Sequence, residues 1–503
     1  MKPFNILILP FLYIALTAQI NVLTQEEAEQ RALELYEKDN PPRDTVPMPA
    51  PAEYEEYFGS RLTRSVSLLS TSNKERRLPV KILIYGQSIV GSRNFSECMS
   101  AYLTEHFPYA DITIENRAIG GFSGDRLLRT AVHDVYPFYP DLLIFHVYGG
   151  EDHGELEQLF TNVRQYTTAD ILLFNHHLNA NQKTYIEKSY QFLRYIANKY
   201  NCELVDVSKE WMQYLADNDL QPSDLLRDNV HPNRHGHVVL SNLIGRHLRY
   251  NFLYPGFWQD RVRTVYLKSA YDVNAEKQIF FKGKKWEIID NVPVGKSKDA
   301  PIKFTFEGNR VDIIAGKLKN PETLGSAKII LDGKLISKNK DIPYSITRPS
   351  PGPNTWIPLV RRISYIKALV PEDWTLMVDE INQDSTIWFF SVRGTVTGFD
   401  GSGRSDEAFT SKSGRVVIDP SDYMFAEIVK TFKTVTPVGF ESKWKVEPMF
   451  IETYQSPAMD DKSKVYKTTI VKGLKNGLHT LELIPNEDGI LPIEAFEVHR
   501  PDM

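Results

Sequence analysis

Val80-Lys-Ile-Leu-Ile-Tyr85, closed by Gly86-Gln87-Ser88, is where the chain turns from polar to apolar. Six residues of this kind, ending in a glycine-led loop, read as a buried strand. Downstream, Phe95, Met99 and Leu103 recur at helical spacing. Further short apolar runs follow at Ile112–Glu115, Leu142–Val147, Ile171–Phe174 and Glu203–Val207. Amphipathic stripes lie between them: Leu156, Leu159, Phe160 and Val163, then Tyr185, Phe192, Leu193, Ile196 and Tyr200. A last helix is expected from about Arg234 to Tyr250. Short apolar strands that alternate with helices imply an α/β fold, a parallel sheet covered on both faces. Chemistry in such sheets collects beyond the carboxyl ends of the strands, where the Ser88 loop falls.

Outward from this segment toward the amino end, residues 20–74 are polar. An acidic patch (Gln25 to Asp39) leads into Asn40-Pro-Pro-Arg-Asp-Thr-Val-Pro-Met-Pro-Ala-Pro51. Proline at that density breaks regular structure, so this stretch reads as a leader. Residues 1–19 read as a secretory signal peptide. The apolar run Asn5–Leu16 falls short of the roughly 20 residues that a spanning helix needs. No cysteine precedes Cys98, which argues against a lipid-modified amino terminus. A secreted or periplasmic location with no membrane span follows. Cys98 and Cys202 sit in a helical stripe and just before a strand. Export permits a disulfide between them, but both also suit small buried apolar positions.

Toward the carboxyl end the pattern becomes all-β after about residue 258. Strands are expected at Ile302–Phe306, Val311–Ile314, Ala327–Leu331 (before the turn Asp332-Gly333) and Ile387–Val392. Gly473–Ile484 reads as a strand pair closing a β-sandwich. Residues 259–503 then form one jelly-roll-like domain with an insertion around 345–465, or two β domains. The formal charge of −5 on 503 residues offers nothing to nucleic acid or an anionic membrane.

The second chemical signal is Asp228-Asn-Val-His231-Pro-Asn-Arg-His-Gly236-His237. A serine hydroxyl is a poor nucleophile until a base takes its proton and a third group orients that base. Asp-x-x-His supplies both from one turn. Each part also has a bland explanation: Ser88 as a helix cap, and Asp228 and His231 as a turn before a helix. The order is more specific, with a serine loop after the first strand and Asp-x-x-His ahead of the last helix. His235 and His237 fall within that helix, one expected exposed and one packed.

These blocks, across residues 75–258, resemble the SGNH (GDSL-type) hydrolase family and its carbohydrate-esterase branches, which implies a flavodoxin-like three-layer parallel sheet. Gly86-Gln87-Ser88-Ile89 is similar to the first block, with Gln87 where many members carry Asp. The resemblance implies Ser88 as nucleophile and oxyanion donor through its own amide. Asn116-Arg-Ala-Ile-Gly-Gly121-Phe-Ser-Gly124 is similar to the second, which makes Gly121 (or, in the other register, Gly120) a second donor. The Asp228/His231 stretch is similar to the fifth, implying His231 as base and Asp228 as its orienter. In the third block the family's asparagine donor is replaced by Glu151, within Tyr148-Gly149-Gly150-Glu151-Asp152-His153. A carboxylate cannot donate unless protonated. His146, His153 and Asn175 are candidates to replace it, and Gln87, His146, Asp152, His153, Asn175 and His176 are candidate substrate contacts. Adjacent His176 and His177 diverge in an extended chain, so they make a poor metal site. No metal or organic cofactor is expected. The implied function is a secreted serine esterase that removes acyl groups, acetyl above all, from an oligo- or polysaccharide. The alternatives are a lipid or aryl esterase, or a glycan-binding protein with a relic site. Oligomeric state is not readable.

Overall fold

The computed structural model describes residues 46–150, 154–182, 187–254, 256–268, 279–281, 286–320, 323–339 and 342–503. The signal-peptide stretch, residues 20–45 of the leader, and Glu151, Asp152 and His153 lie outside them.

Strands β1 (Pro79–Gly86), β2 (Asp111–Asn116), β3 (Leu142–His146), β4 (Asp170–Phe174) and β5 (Glu203–Val205) form a parallel sheet in the order β2-β1-β3-β4-β5. Period-2 alternation sends Leu83, Tyr85, Leu143 and Phe145 to one face and Ile82, Ile84, Leu142 and Ile144 to the other, each into its own apolar core. The second face is covered by α1 (Thr63–Thr71), α3 (Arg93–His106), α7 (Val207–Asp217) and α8 (Arg234–Gly245), which follow the one-turn α2 (Ser88–Gly91) or flank it. The first face is covered by α4 (Gly124–Asp134), α5 (Gly154–Tyr166) and α6 (Glu187–Lys199). Phe95, Met99 and Leu103 of α3 are all buried, as their spacing requires. The last helix ends at Gly245, earlier than Tyr250. Cys98 and Cys202 are both buried and share no disulfide; burial pushes the Cys202 thiol up to about 11. No helix among the described residues is long and apolar enough to cross a membrane.

Among the described residues, the carboxyl-terminal half holds two large sheets and a two-stranded hairpin. The first has ten antiparallel strands: β6 (Val262–Tyr266), β7 (Ile279–Phe281), β8 (Trp286–Ile289), β9 (Val292–Gly295), β10 (Ile302–Ala315), β11 (Ser326–Leu331), β12 (Lys334–Leu335), β20 (Thr453–Gln455), β21 (Lys467–Pro485) and β22 (Leu491–His499). They enclose a core in which Phe304 and Phe496 stack at 4.5 Å. Two expectations need correction here. Ile302–Phe306 and Val311–Ile314 are one strand, and Gly473–Ile484 belongs to a single 19-residue strand. β10 and β21 pair along nearly their whole lengths through register shifts between Gly308 and Arg310 and between Val311 and Asp312. The glycines that imitate turns in the sequence are bulges, which bend a strand without ending it. Asp332 and Gly333 do make a tight turn, both at positive φ.

Inserted into this sheet's sequence is a second one, β13-β19-β14-β15-β16, from β13 (Tyr344–Ile346), β14 (Glu372–Ile381), β15 (Trp388–Gly394), β16 (Gly398–Arg404) and β19 (Glu441–Pro448). The hairpin β17 (Phe409–Thr410) and β18 (Val417–Ile418) and the helix α9 (Phe425–Phe432) accompany it. Its core (Trp374, Trp388, Phe390, Trp444) is continuous with the α4 face of the parallel sheet. The ten-stranded sheet instead meets the amino ends of β3 and β4, where Arg64 pairs with both Asp141 and Glu497 and Arg261 pairs with Asp170.

Candidate active site

Gly86 ends β1 beside His146, its partner on β3. Its φ is +143°, and a Cβ there would lie 2.0 Å from the His146 carbonyl oxygen. Only glycine fits so close an approach. Gln87 then leaves the strand, anchored by a 2.5 Å hydrogen bond from Nε2 to the Tyr148 carbonyl, and Ser88 opens α2.

The opposing loop is held by its own backbone. Arg227 N donates to the His231 carbonyl (2.9 Å) and Asn233 N to that of Leu225 (3.0 Å). Asp228 Oδ1 accepts from the amides of Val230 and His231, both at 2.8 Å, the Asx turn that makes Asp-x-x-His a compact unit. Asn233 caps α8 by accepting from Gly236 N. A Cβ on Gly236 would fall 2.2 Å from the Leu225 carbonyl oxygen, so helix and loop pack directly.

This brings Ser88 Oγ to 2.9 Å from His231 Nε2, while His231 Nδ1 lies 2.9 Å from Asp228 Oδ2. Burial raises the Asp228 carboxyl, but the two amides and the imidazole outweigh it and hold it down to about 2. An ionised carboxylate only accepts, so the neutral ring carries its proton on Nδ1 and turns the Nε2 lone pair to Ser88. Such an arrangement can take a proton from the hydroxyl as it attacks an electrophilic carbon.

The cleft above Ser88 has a volume of about 530 Å³ and is lined by the small residues Gly91, Ala118 and Gly120 together with the polar Arg93, Asn94 and Arg227. Gly120 faces the cleft. Gly121, at φ +80°, is not among the lining residues. His146 and Asn175 are buried and do not line the cleft. His146 sits 3.3 Å from His176 Nδ1, and Asn175 bridges Asp206 and the Ser208 amide. His176 is also buried, stacked on Tyr148 and bonded to Asn179. Burial lowers His176 to about 4 and His237 to about 3. His235 is half-buried against the Tyr214 hydroxyl, so neither histidine of α8 is exposed.

Sequence reasoning missed Trp356. It comes from the inserted β region, yet its Nε1 donates to the Gly120 carbonyl at 3.0 Å and its indole borders the cleft. The Pro349–Pro353 stretch that precedes it signals an irregular loop, but nothing local says where that loop docks. The buried trio Asp312, Glu497 and His499 could be mistaken for a metal site. Arg310, Lys467 and Arg64 already neutralise its carboxylates.

No family model and no curated protein matches this chain. Among solved structures, a two-domain esterase active on acetylated mannans, co-crystallised with mannopentaose, is 13% identical, with a TM-score of 0.35 over 90% of this chain and 100% of that one. A catalytic mutant of an acetylxylan esterase from Geobacillus stearothermophilus is 19% identical, with a TM-score of 0.31 over 35% of this chain and 96% of that one. An α/β hydrolase from the metagenome of Lake Arreo, Spain, is 19% identical, with a TM-score of 0.31 over 36% and 99%. These likenesses are remote.

Proposed function

We propose that this chain is an exported serine esterase, of SGNH type, that removes acyl groups from a carbohydrate. The observation that carries the reading is the continuous chain of hydrogen bonds from Ser88 through His231 to Asp228 at the carboxyl edge of the sheet.

In this reading, Ser88 Oγ attacks the ester carbonyl carbon as its proton passes to His231 Nε2. Asp228 holds the ring and stabilises the imidazolium. The amide of Ser88 and an amide of the Gly120–Gly121 loop face the developing oxyanion. The tetrahedral intermediate collapses, the bond to the sugar oxygen breaks, and that oxygen leaves with the proton from His231. Water then gives a proton to His231 and its oxygen to the acyl carbon; the free acid departs and Ser88 recovers its hydrogen. Small and polar lining residues suit an acetyl ester on a hydrophilic substrate better than a long apolar chain.

Incubation with acetylated xylan, acetylated mannan, an aryl acetate and a long-chain aryl ester, beside Ser88→Ala, tests this. Acetate release by the wild type, absent in the variant, supports it. Equal release by both proteins sinks the enzyme reading, and preference for the long chain moves it to lipids.

A further inference from the structure

We propose that Trp356 is the platform on which a pyranose ring of the substrate stacks, so that a region far from the nucleophile in sequence determines carbohydrate specificity. The proposal rests on the esterase reading above and names the part of the cleft that would recognise the sugar.

Five of the seven tryptophans (Trp211, Trp286, Trp374, Trp388 and Trp444) are buried at 2% exposure or less, whereas Trp356 is 59% exposed. Exposing so large an apolar surface is unfavourable unless something covers it. This side chain is nevertheless held in place. Its indole N–H is bonded to the Gly120 carbonyl, and its ring meets that of Phe432, at the end of α9, edge to face at 4.9 Å. Its loop is closed by hydrogen bonds from Gly352 N to the Ile357 carbonyl (2.9 Å) and from Leu359 N to the Ser350 carbonyl (3.1 Å). Pro351, Pro353 and Pro358 restrict it further. A fixed aromatic surface loses little freedom on binding, which favours recognition.

Its position relative to the nucleophile gives the surface a purpose. A Cβ on Gly120 would lie 2.9 Å from the indole nitrogen and 3.6 Å from Ser88 Cβ, so the indole is within about 6.5 Å of the Ser88 side chain. A sugar ring stacked on the indole would therefore lie beside the nucleophile, with an ester at its edge turned toward Ser88. Sugars present an apolar C–H face and a polar rim. The cleft pairs the indole with Arg93, Asn94 and Arg227 in the same way.

The test compares Trp356→Ala and Trp356→Phe with wild type on acetylated xylo- and manno-oligosaccharides and on a small alkyl acetate. The ratio of kcat/KM for oligosaccharide over alkyl acetate is expected to fall by about tenfold or more in Trp356→Ala, mainly through KM, and to be largely recovered in Trp356→Phe. The ratio cancels any general damage to the Gly120 loop. An unchanged ratio, or a phenylalanine variant as poor as alanine, overturns the proposal, as does a selective loss on the alkyl acetate rather than on sugar esters. Binding is read separately: in Ser88→Ala the oligosaccharides should shift tryptophan fluorescence, and Ser88→Ala/Trp356→Phe should lose that shift. If wild type hydrolyses no ester but the shift remains, the esterase reading fails and the platform stands. If wild type hydrolyses sugar esters and no shift occurs, the platform fails and the esterase reading stands.

Discussion

Arg129, on the helix that follows the Gly120–Gly121 loop, grips Asp422 of the inserted β region with both arms of its guanidinium, Nη2 to Oδ2 at 2.5 Å and Nε to Oδ1. Asp422 is buried, and Arg361 Nε, its other cation, is 3.9 Å away. Arg126–Glu427 and Arg348–Asp134 reinforce the same junction. Together they fix the β insertion to α4 and therefore place Trp356 above Ser88.

Removing one partner of a buried ion pair leaves the other charge stranded. Arg129→Ala is expected to destabilise the protein by about 2–3 kcal/mol, measured by denaturant unfolding. Arg129→Ala/Asp422→Ala should cost less than the sum of the single changes, with a coupling on the order of 1–2 kcal/mol. Additive effects would show that the pair does not hold the junction.

The hydrogen-bonded chain at the site predicts non-additive kinetics. Ser88→Ala and His231→Ala should each lower kcat by about 10³-fold or more, and the double variant should be no worse than either. Asp228→Asn keeps the size but removes the acceptor that sets the ring's tautomer, and should cost on the order of 10³–10⁴-fold. Losses that multiply across Ser88 and His231 would mean that they act independently.

Two glycines separate backbone necessity from neutrality. Gly86→Ala forces a Cβ against the His146 carbonyl at positive φ and is expected to cost on the order of 3 kcal/mol. Gly154→Ala, in α5 with open space around it, should change stability by less than about 1 kcal/mol, in the stabilising direction. Chemical denaturation of the two variants checks both.

Acid should unfold this protein early. Burial first, then neighbouring positive charge, holds His133 at about 4, His176 at about 4 and His237 at about 3, and keeps His146 and His177 well below the usual range. His133 shows why. Its Nδ1 faces the Ile346 carbonyl while Nε2 accepts from the Ile363 amide, so a second ring proton has no place. These folded pKa values lie below the unfolded value of about 6.5, so the unfolded chain binds more protons below that pH. Stability is therefore complete above about pH 6.5 and lost as pH falls toward 4. Asp134, raised by burial to about 6, and Glu210, also raised by burial, work the other way, but they are two carboxyls against five histidines. Thermal midpoints at pH 7, 6, 5 and 4 should drop steeply across the series; a level profile would contradict this account.

The parallel sheet was legible because β1, β3 and β4 are nearly continuous apolar runs, and each helical stripe buries one face. The Asp228/His231 pairing was legible because an Asx turn is local, spanning three residues. That Ser88 meets His231 depends on sheet order and on the direct packing of Gly236 against Leu225, which no local pattern encodes. In the β half, glycines inside β10 and β21 imitate turns, so two long strands read as four short ones. Trp356 and the ion pairs of α4 depend on the docking of an inserted sheet and leave no periodic trace. His146 and Asn175 lie at strand ends on the right edge, but burial turns them to internal partners.

The most direct test of the central claim is covalent labelling. The wild-type protein, exposed to an organophosphorus fluoride, is examined by intact mass and peptide mass spectrometry. One adduct per chain, on Ser88, lost in His231→Ala and accompanied by loss of acetate release, is the expected result. Labelling at another residue, or acetate release that persists after Ser88 is fully modified, would contradict Ser88 as the nucleophile activated by His231.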